Sequence, residues 1–301
     1  MLKAIVKKIL SHPFLAAPKI EIARFILNNN NSPQLLKNMV FKSRNYLPRK
    51  KIKANISLDS RMEAVFELDL NSYGDREIFY GTYESYLVAF YKRVLQSKKV
   101  VWDIGSNIGF YAVMAGKVLK GRGEVFAFEP VPVNFNSLKT NISLNNLTNV
   151  TPFNVALSSE DGEAEIYLFD TEKITSSPTL NKEWAVQSKL NKRIVIKTRN
   201  PMSLLSTGEV RIPDIIKIDS ETHEPVILGS VFPLLTGENP PDIISEIMPP
   251  TIEPMRELLI EECGYNCYHI FSGGIAKVQE LKMRRPYNDY FFTKQPVHPL
   301  L

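Results

Sequence analysis

Five short apolar runs punctuate the middle of the chain, at Val100–Ile104, Glu124–Phe128, 150–155, 214–219 and 242–247, with helix-patterned stretches between them. Continuous runs of this length predict strands covered on both faces, and strands alternating with helices predict a parallel, doubly wound α/β sheet. A strand-like run at 62–70 comes earlier; a turn follows at 71–75, and Tyr80 to Glu84 leads into a helix that ends at Leu95. Between the third and fourth runs the pattern breaks. Residues 164–169 and 193–198 read as a short hairpin-like pair around the polar stretch 170–192, the kind of long connection that is either functional or disordered. Two further strands are predicted near the end, at 265–270 and 287–293.

The first run opens the most informative segment, Val100-Val101-Trp102-Asp103-Ile104-Gly105-Ser106-Asn107-Ile108-Gly109-Phe110-Tyr111. Gly105 permits a tight turn, Asn107 is placed to cap a helix, and Phe110, Val113, Met114 and Val118 have helical spacing. The second run ends at Glu129, roughly 20 residues beyond Gly109, the separation at which a ribose-binding acid follows a glycine turn. Turn and acid therefore reach the same sheet edge, where a nucleotide-like cofactor fits. A dinucleotide fingerprint needs G-x-G-x-x-G so that the backbone can approach a pyrophosphate. Only Gly105 and Gly109 are present, with Ser106 and Asn107 between them. The spacing Asp103-x-Gly105-x-Asn107-x-Gly109 resembles instead the first motif of S-adenosylmethionine-dependent methyltransferases, whose cofactor carries an amino acid and a ribose.

Downstream pieces extend the resemblance in order: Ala127-Phe128-Glu129-Pro130, a helix closing at 141–146, Asn154-Val155-Ala156-Leu157-Ser158, Ile216-Lys217-Ile218-Asp219-Ser220-Glu221-Thr222-His223-Glu224, and Ile243-Ile244-Ser245-Glu246-Ile247. Over about 80–292 this ordered set is similar to the FkbM methyltransferases, which share a DxGxNxG turn, a phenylalanine-glutamate-proline, a lysine-isoleucine-aspartate strand and a late strand ending in glutamate. The resemblance implies a Rossmann-like class I methyltransferase sheet, mostly parallel with the last strand antiparallel, and S-adenosylmethionine as cofactor. Where the family has valine-glutamate-glycine after the aspartate, this chain has Ser220-Glu221-Thr222. Threonine takes φ > 0 less readily than glycine, so this loop is where the chain is expected to depart from the family.

Charge changes the picture at the N-terminus. The net charge is +5, yet twelve basic residues precede Asn55 against the single acid Glu21, so the remainder is net acidic. Leu2, Ile5, Val6, Ile9 and Leu10, and later Ile20, Ala23, Phe25 and Leu27, have helical spacing between these charges. The expectation is a basic helical extension over 1–57, packed on the domain or lying on an anionic membrane surface, and a methyltransferase domain over 58–301. Pro13 and Pro18 interrupt the apolar pattern, Lys7 and Lys8 break any signal-peptide core, and no stretch approaches the ~18 apolar residues of a membrane span. No nucleic-acid-binding pattern accompanies the charge. Cys263 and Cys267 read as ordinary thiols of a reducing, cytoplasmic compartment.

Ligands of open α/β sheets bind beyond the carboxyl ends of the strands, where Asp103, Glu129, Asp219 and Glu246 all fall. Gly105, Ser106, Asn107 and Gly109 form the expected cofactor turn. Glu129 is the expected grip on both ribose hydroxyls, Asp103 the residue that shapes the turn and meets the amino group, and Asn154 and Ala156 the resting place of the adenine. Methyl transfer to oxygen also needs a base, and His223, Asp219 and Glu221 are the candidates. With Glu246, these carboxylates could instead hold a divalent cation, although no ligand spacing assigns one. The resemblance implies an O-methyltransferase acting on a sugar, glycan or secondary metabolite. A non-catalytic binding or scaffolding protein of the same fold is the alternative, and a dinucleotide oxidoreductase stands third.

Overall fold

The computed structural model describes residues 51–59, 62–169 and 178–297. Most of the helical extension expected over 1–57, the part before Lys51, and part of the polar stretch 170–192 lie outside the described residues. The end of that extension, Lys51–Ser57, is a strand and not a helix, because its alternating side chains pair it with Glu63–Asp69. The chain divides into two units, one through Ser85 and one from Tyr86 onward. In the first, β1 (Lys51–Ser57) pairs antiparallel with β2 (Glu63–Asp69). The turn expected at 71–75 is instead the start of helix α1 (Tyr73–Tyr80), because the Ser72 hydroxyl accepts the Asp75 N–H and caps it. Polar residues that look like a turn in sequence are here a helix cap.

The second unit runs α2 (Ser85–Val94), β3 (Val100–Ile104), α3 (Phe110–Val118), β4 (Glu124–Phe128), α4 (Pro132–Leu144) and β5 (Val150–Phe153). An insertion follows, comprising β6 (Ala156–Leu157), β7 (Gly162–Leu168), α5 (Lys182–Gln187) and β8 (Lys192–Arg199). The chain then returns through α6 (Pro201–Ser206), β9 (Ile215–Ile218), α7 (Glu224–Ser230), α8 (Phe232–Leu235) and β10 (Asp242–Glu246). Helix α9 (Ile252–Met255), a π-helical stretch (Arg256–Glu262), β11 (Asn266–Phe271), β12 (Gly274–Lys277) and β13 (Asp289–Thr293) complete it.

The main sheet has the order β12-β11-β13-β10-β9-β3-β4-β5. Strands β5, β4, β3, β9 and β10 are parallel, and β13 enters antiparallel between β10 and β11. This is the expected doubly wound class I methyltransferase sheet with its late antiparallel strand. Strands β3, β9 and β10 lie centrally and are buried nearly throughout, which is why they read as unbroken apolar runs. Trp102, Phe128, Ile216, Leu228, Ile243 and Phe292 belong to one core cluster spanning the sheet. From β3 the chain moves outward through β4 and β5, then crosses to β9 and β10 on the other side. The strand order therefore reverses between β3 and β9, the place at whose carboxyl ends open α/β sheets bind ligands. The expected hairpin-like pair is β7 and β8, joined by β6 into a separate three-stranded sheet with the order β6-β8-β7.

Candidate active site

At the reversal point two segments meet. Gly105 has φ +78°, and a Cβ there would sit 1.8 Å from the Asp219 carbonyl oxygen, so only glycine lets the turn after β3 lie against the end of β9. The Gly105 and Ser106 amides each donate to the Phe128 carbonyl at 3.0 Å, and the Ser106 hydroxyl donates to the Asp103 carbonyl at 2.7 Å. These bonds fix the turn to the end of β4 and to its own strand, β3. Asn107 does not cap α3 as the sequence suggests: Gly109, at φ +87°, stands at the cap position with no side-chain cap bond. Asn107 itself takes φ +50°, and its amide donates to Glu129 Oε2 at 2.8 Å.

Glu129 is 2% exposed. Its Oε1 accepts the Val131 amide at 2.9 Å and the Asn134 side chain at 3.4 Å. Burial pushes its carboxyl up to about 7 against those hydrogen bonds. A carboxylate has about four acceptor positions, and the protein fills three of these, so one remains for a ligand. Asn154 donates to the Glu129 and Pro130 carbonyls at 2.9 and 3.0 Å, holding the segment after β4 in place. Ala156 packs with Val131, Ile166, Leu168 and Ile196 in the core of the small sheet. The structure thus joins Gly105, Ser106, Asn107, Glu129 and Asn154 in one hydrogen-bonded group, with Ala156 behind it.

Beneath the turn lies a buried charge cluster. Asp103 is 1% exposed, and neither of its carboxylate oxygens has a hydrogen-bond partner; the same holds for the buried Asn107 Oδ1. Burial raises the Asp103 pKa, and the Lys217 charge pulls it back. Lys217 stands in register with Asp103 on the adjacent strand. Its Nζ lies 3.7 Å from Asp219 Oδ2 and 4.5 Å from the centre of the Tyr111 ring. Asp289, at the start of β13, accepts a short hydrogen bond from the Tyr86 hydroxyl; burial raises its pKa and Lys217 lowers it. Glu246 ends β10 half-buried, in register with Asp289. Lys217, Asp289 and Tyr86 are site residues that sequence reasoning passed over. A lone lysine inside the apolar run of β9 was a visible signal for the first; nothing local marks the other two.

The loop after β9 carries the expected reacting residues. Glu221 and Thr222 both take left-handed conformations, with φ +51° and +80°. The departure from the family therefore keeps a glycine-like backbone with a β-branched residue in it, a genuine outlier. His223 precedes α7, and its Nε2 lies 3.1 Å from the Ser158 hydroxyl. Burial lowers the His223 pKa to about 4, so the imidazole is neutral throughout the physiological range. Glu224 accepts the Ser220 amide and hydroxyl at 2.7 and 3.0 Å, and burial raises its pKa to about 7. Among the described residues, no three His, Cys, Asp or Glu side chains converge as a metal site.

The chain matches the methyltransferase FkbM domain family over residues 103–267. It is 32% identical over 142 residues to the hexuronic acid methyltransferase AglP of Haloferax volcanii. That match covers 46% of this chain and 53% of the relative, so it spans about half the relative's length. Among solved structures it is similar to the methyltransferase FkbM of Methylobacillus flagellatus KT, with TM-score 0.44 and 16% identity over 66% of this chain and 44% of that one. It is also similar to the O-methyltransferase of Bacillus cereus in complex with SAH, with TM-score 0.40 and 14% identity over 67% of this chain and 77% of that one.

Proposed function

The chain belongs to the FkbM methyltransferase family, and we propose that it transfers a methyl group from S-adenosylmethionine to a hydroxyl of a sugar, free or within a glycan. The observation that carries this reading is the contact between the Gly105 turn and the Asp219 carbonyl, which puts Asp103, Asn107 and Glu129 beside the loop bearing Glu221 and His223. The cofactor half fits the residues present. The unpartnered oxygens of Asp103 and Asn107 are acceptors without donors, and S-adenosylmethionine brings an ammonium group and two ribose hydroxyls. Its sulfonium supplies an electrophilic methyl group. The chain then has to align the acceptor hydroxyl and remove its proton. Neutral His223 is the base in this reading. For Nδ1 to take the proton, Nε2–H donates to Ser158, which fixes the tautomer. The hexuronic acid named in the relative makes sugars the first acceptors to try.

Calorimetric titration with S-adenosylhomocysteine and with NAD tests the cofactor. Binding of the first and not the second is expected, and the reverse would overturn the assignment. Labelled methyl transfer into a panel of neutral sugars and hexuronic acids tests the acceptor class, and label appearing only in lipid or protein fractions would refute it.

Glu129→Ala is expected to weaken S-adenosylhomocysteine binding by about 1.5–3 kcal/mol, the scale of hydrogen bonds to a charged group. The pH dependence follows from the raised pKa. A ribose hydroxyl donates best to the ionised carboxylate, which has room for one such donor and not for both hydroxyls of the diol, and Glu129 holds its proton until about pH 7. Affinity should therefore fall by up to about tenfold per pH unit below 7 and level off above it. Glu129→Gln should flatten that slope. Titrations from pH 5.5 to 8.5 on both proteins check this, and a slope that survives in the Gln variant would move the titrating group to Asp103.

A further inference from the structure

The insertion between β5 and β9 touches the loop after β9 at two places. Ser158, just past β6 and bonded through its amide to the Arg199 carbonyl of β8, meets His223. Thr179, fully buried, pairs with Tyr167 of β7 through N–H···O bonds of 2.8 and 2.9 Å. Its hydroxyl donates to the Glu221 carbonyl at 2.5 Å and accepts the Asn181 amide at 3.0 Å. On the other side of the loop, Glu224 holds Ser220. Between these anchors lies Thr222, at φ +80° and with its buried hydroxyl unpartnered. A β-branched residue in this region and an orphaned buried hydroxyl are two costs in one residue, and the loop left to itself would shed both. Strain of this kind persists only where the surroundings over-determine the backbone.

We propose that Thr179 is a positioning residue: its hydroxyl holds the Glu221 carbonyl so that the loop carrying Glu221, Thr222 and His223 keeps a left-handed course its own residues disfavour. The three-stranded insertion is then a support for the reacting end of the site, gripping the loop through Thr179 and its histidine through Ser158. This rests on the reading of that loop as the reacting end, and its test uses no turnover.

Three variants of the full chain separate the possibilities. In Thr179→Val, hydrogen exchange of the peptide 219–224 should speed up at least tenfold, while Thr179→Ser, which keeps the hydroxyl, should exchange like the native protein. Thr222→Gly should raise Tm by about 2–4 °C in the native background, because it removes the strain, and should add nothing in Thr179→Val, where the loop has already relaxed. Unchanged exchange in Thr179→Val, or equal Tm gains in both backgrounds, overturns the proposal. Should Thr179→Val fail to fold, Thr222→Gly alone still decides: a Tm unchanged or lowered shows that no strain is being held. S-adenosylhomocysteine binding, measured on the same proteins, should stay within twofold of native. If the native chain does not bind it at all, the functional reading falls while the exchange result still reports on the anchor.

Discussion

Lys217→Met is expected to lower the free energy of unfolding by about 3–5 kcal/mol, the cost of removing one partner from a buried charge cluster. Lys217 is 4% exposed and stands against Asp103, Asp219 and Asp289. Methionine fills the volume and can still pack against the Tyr111 ring, so the loss isolates the charge. The sign of the pH effect follows from the carboxyls. Asp103 and Asp289 have folded-state pKa values raised by burial; Lys217 is the main influence lowering Asp103, and it lowers Asp289 alongside the Tyr86 hydrogen bond. Without Lys217 both rise further, and the folded state takes up protons that the unfolded chain does not. A folded state that binds more protons loses stability as pH rises. The variant's deficit should therefore be largest near pH 7.5 and shrink toward pH 5, as carboxyls with raised values take up protons in the fold. Urea melts of both proteins at the two pH values measure it, and a deficit equal at both would mean that the coupling of Lys217 to these carboxyls does not set its effect.

The parts of the fold that were legible are those whose burial leaves a period or a run. Strands β3, β4, β9 and β10 are covered on both faces and announce themselves. Strand β6 has two residues and takes its place only because β8 is beside it, so nothing in its own sequence marks it. Helix α1 hid behind turn-forming residues because Ser72 and Asp75 form a cap, which shares its residue types with turns. In the site, Gly105 and Glu129 were legible because a glycine turn and an acid at a strand end are local features. Asn107 misleads as a cap, since its amide serves Glu129, a partner 22 positions away. The strain at Thr222 was legible as a residue type in the wrong place, whereas the means of holding it was not. Thr179 and Ser158 act through the fold of an insertion whose sequence is merely polar, and Lys217 shows that a charge inside an apolar run should be read as site chemistry before it is read as a flaw.

His223→Ala should cut methyl transfer by roughly 10²–10⁴ if the imidazole is the base, the usual range for general-base catalysis, with S-adenosylhomocysteine affinity nearly unchanged. The two effects separate because the cofactor turn and Glu129 follow β3 and β4, while His223 lies on the loop after β9 and bonds Ser158 rather than Glu129 or the turn. Burial that lowers its pKa to about 4 makes His223 available as a neutral acceptor at every working pH, at the expense of basicity. Its protonation therefore puts no acid limb on kcat above about pH 5, and any limb near pH 7 belongs to the buried carboxyls. Ser158→Ala is the finer probe. It leaves the imidazole in place and frees the tautomer, so a loss of about tenfold in kcat is expected, smaller than that of His223→Ala, with the acceptor KM little moved. If His223→Ala loses turnover and Ser158→Ala does not, proton transfer does not depend on the Nε2–H tautomer, and Nε2 itself faces the acceptor. If turnover survives His223→Ala and collapses with a chelator, Asp219, Glu221 and Glu246 act through a cation. Survival through both treatments would leave Asp219, with Lys217 Nζ 3.7 Å from its carboxylate, or Glu221 as the base.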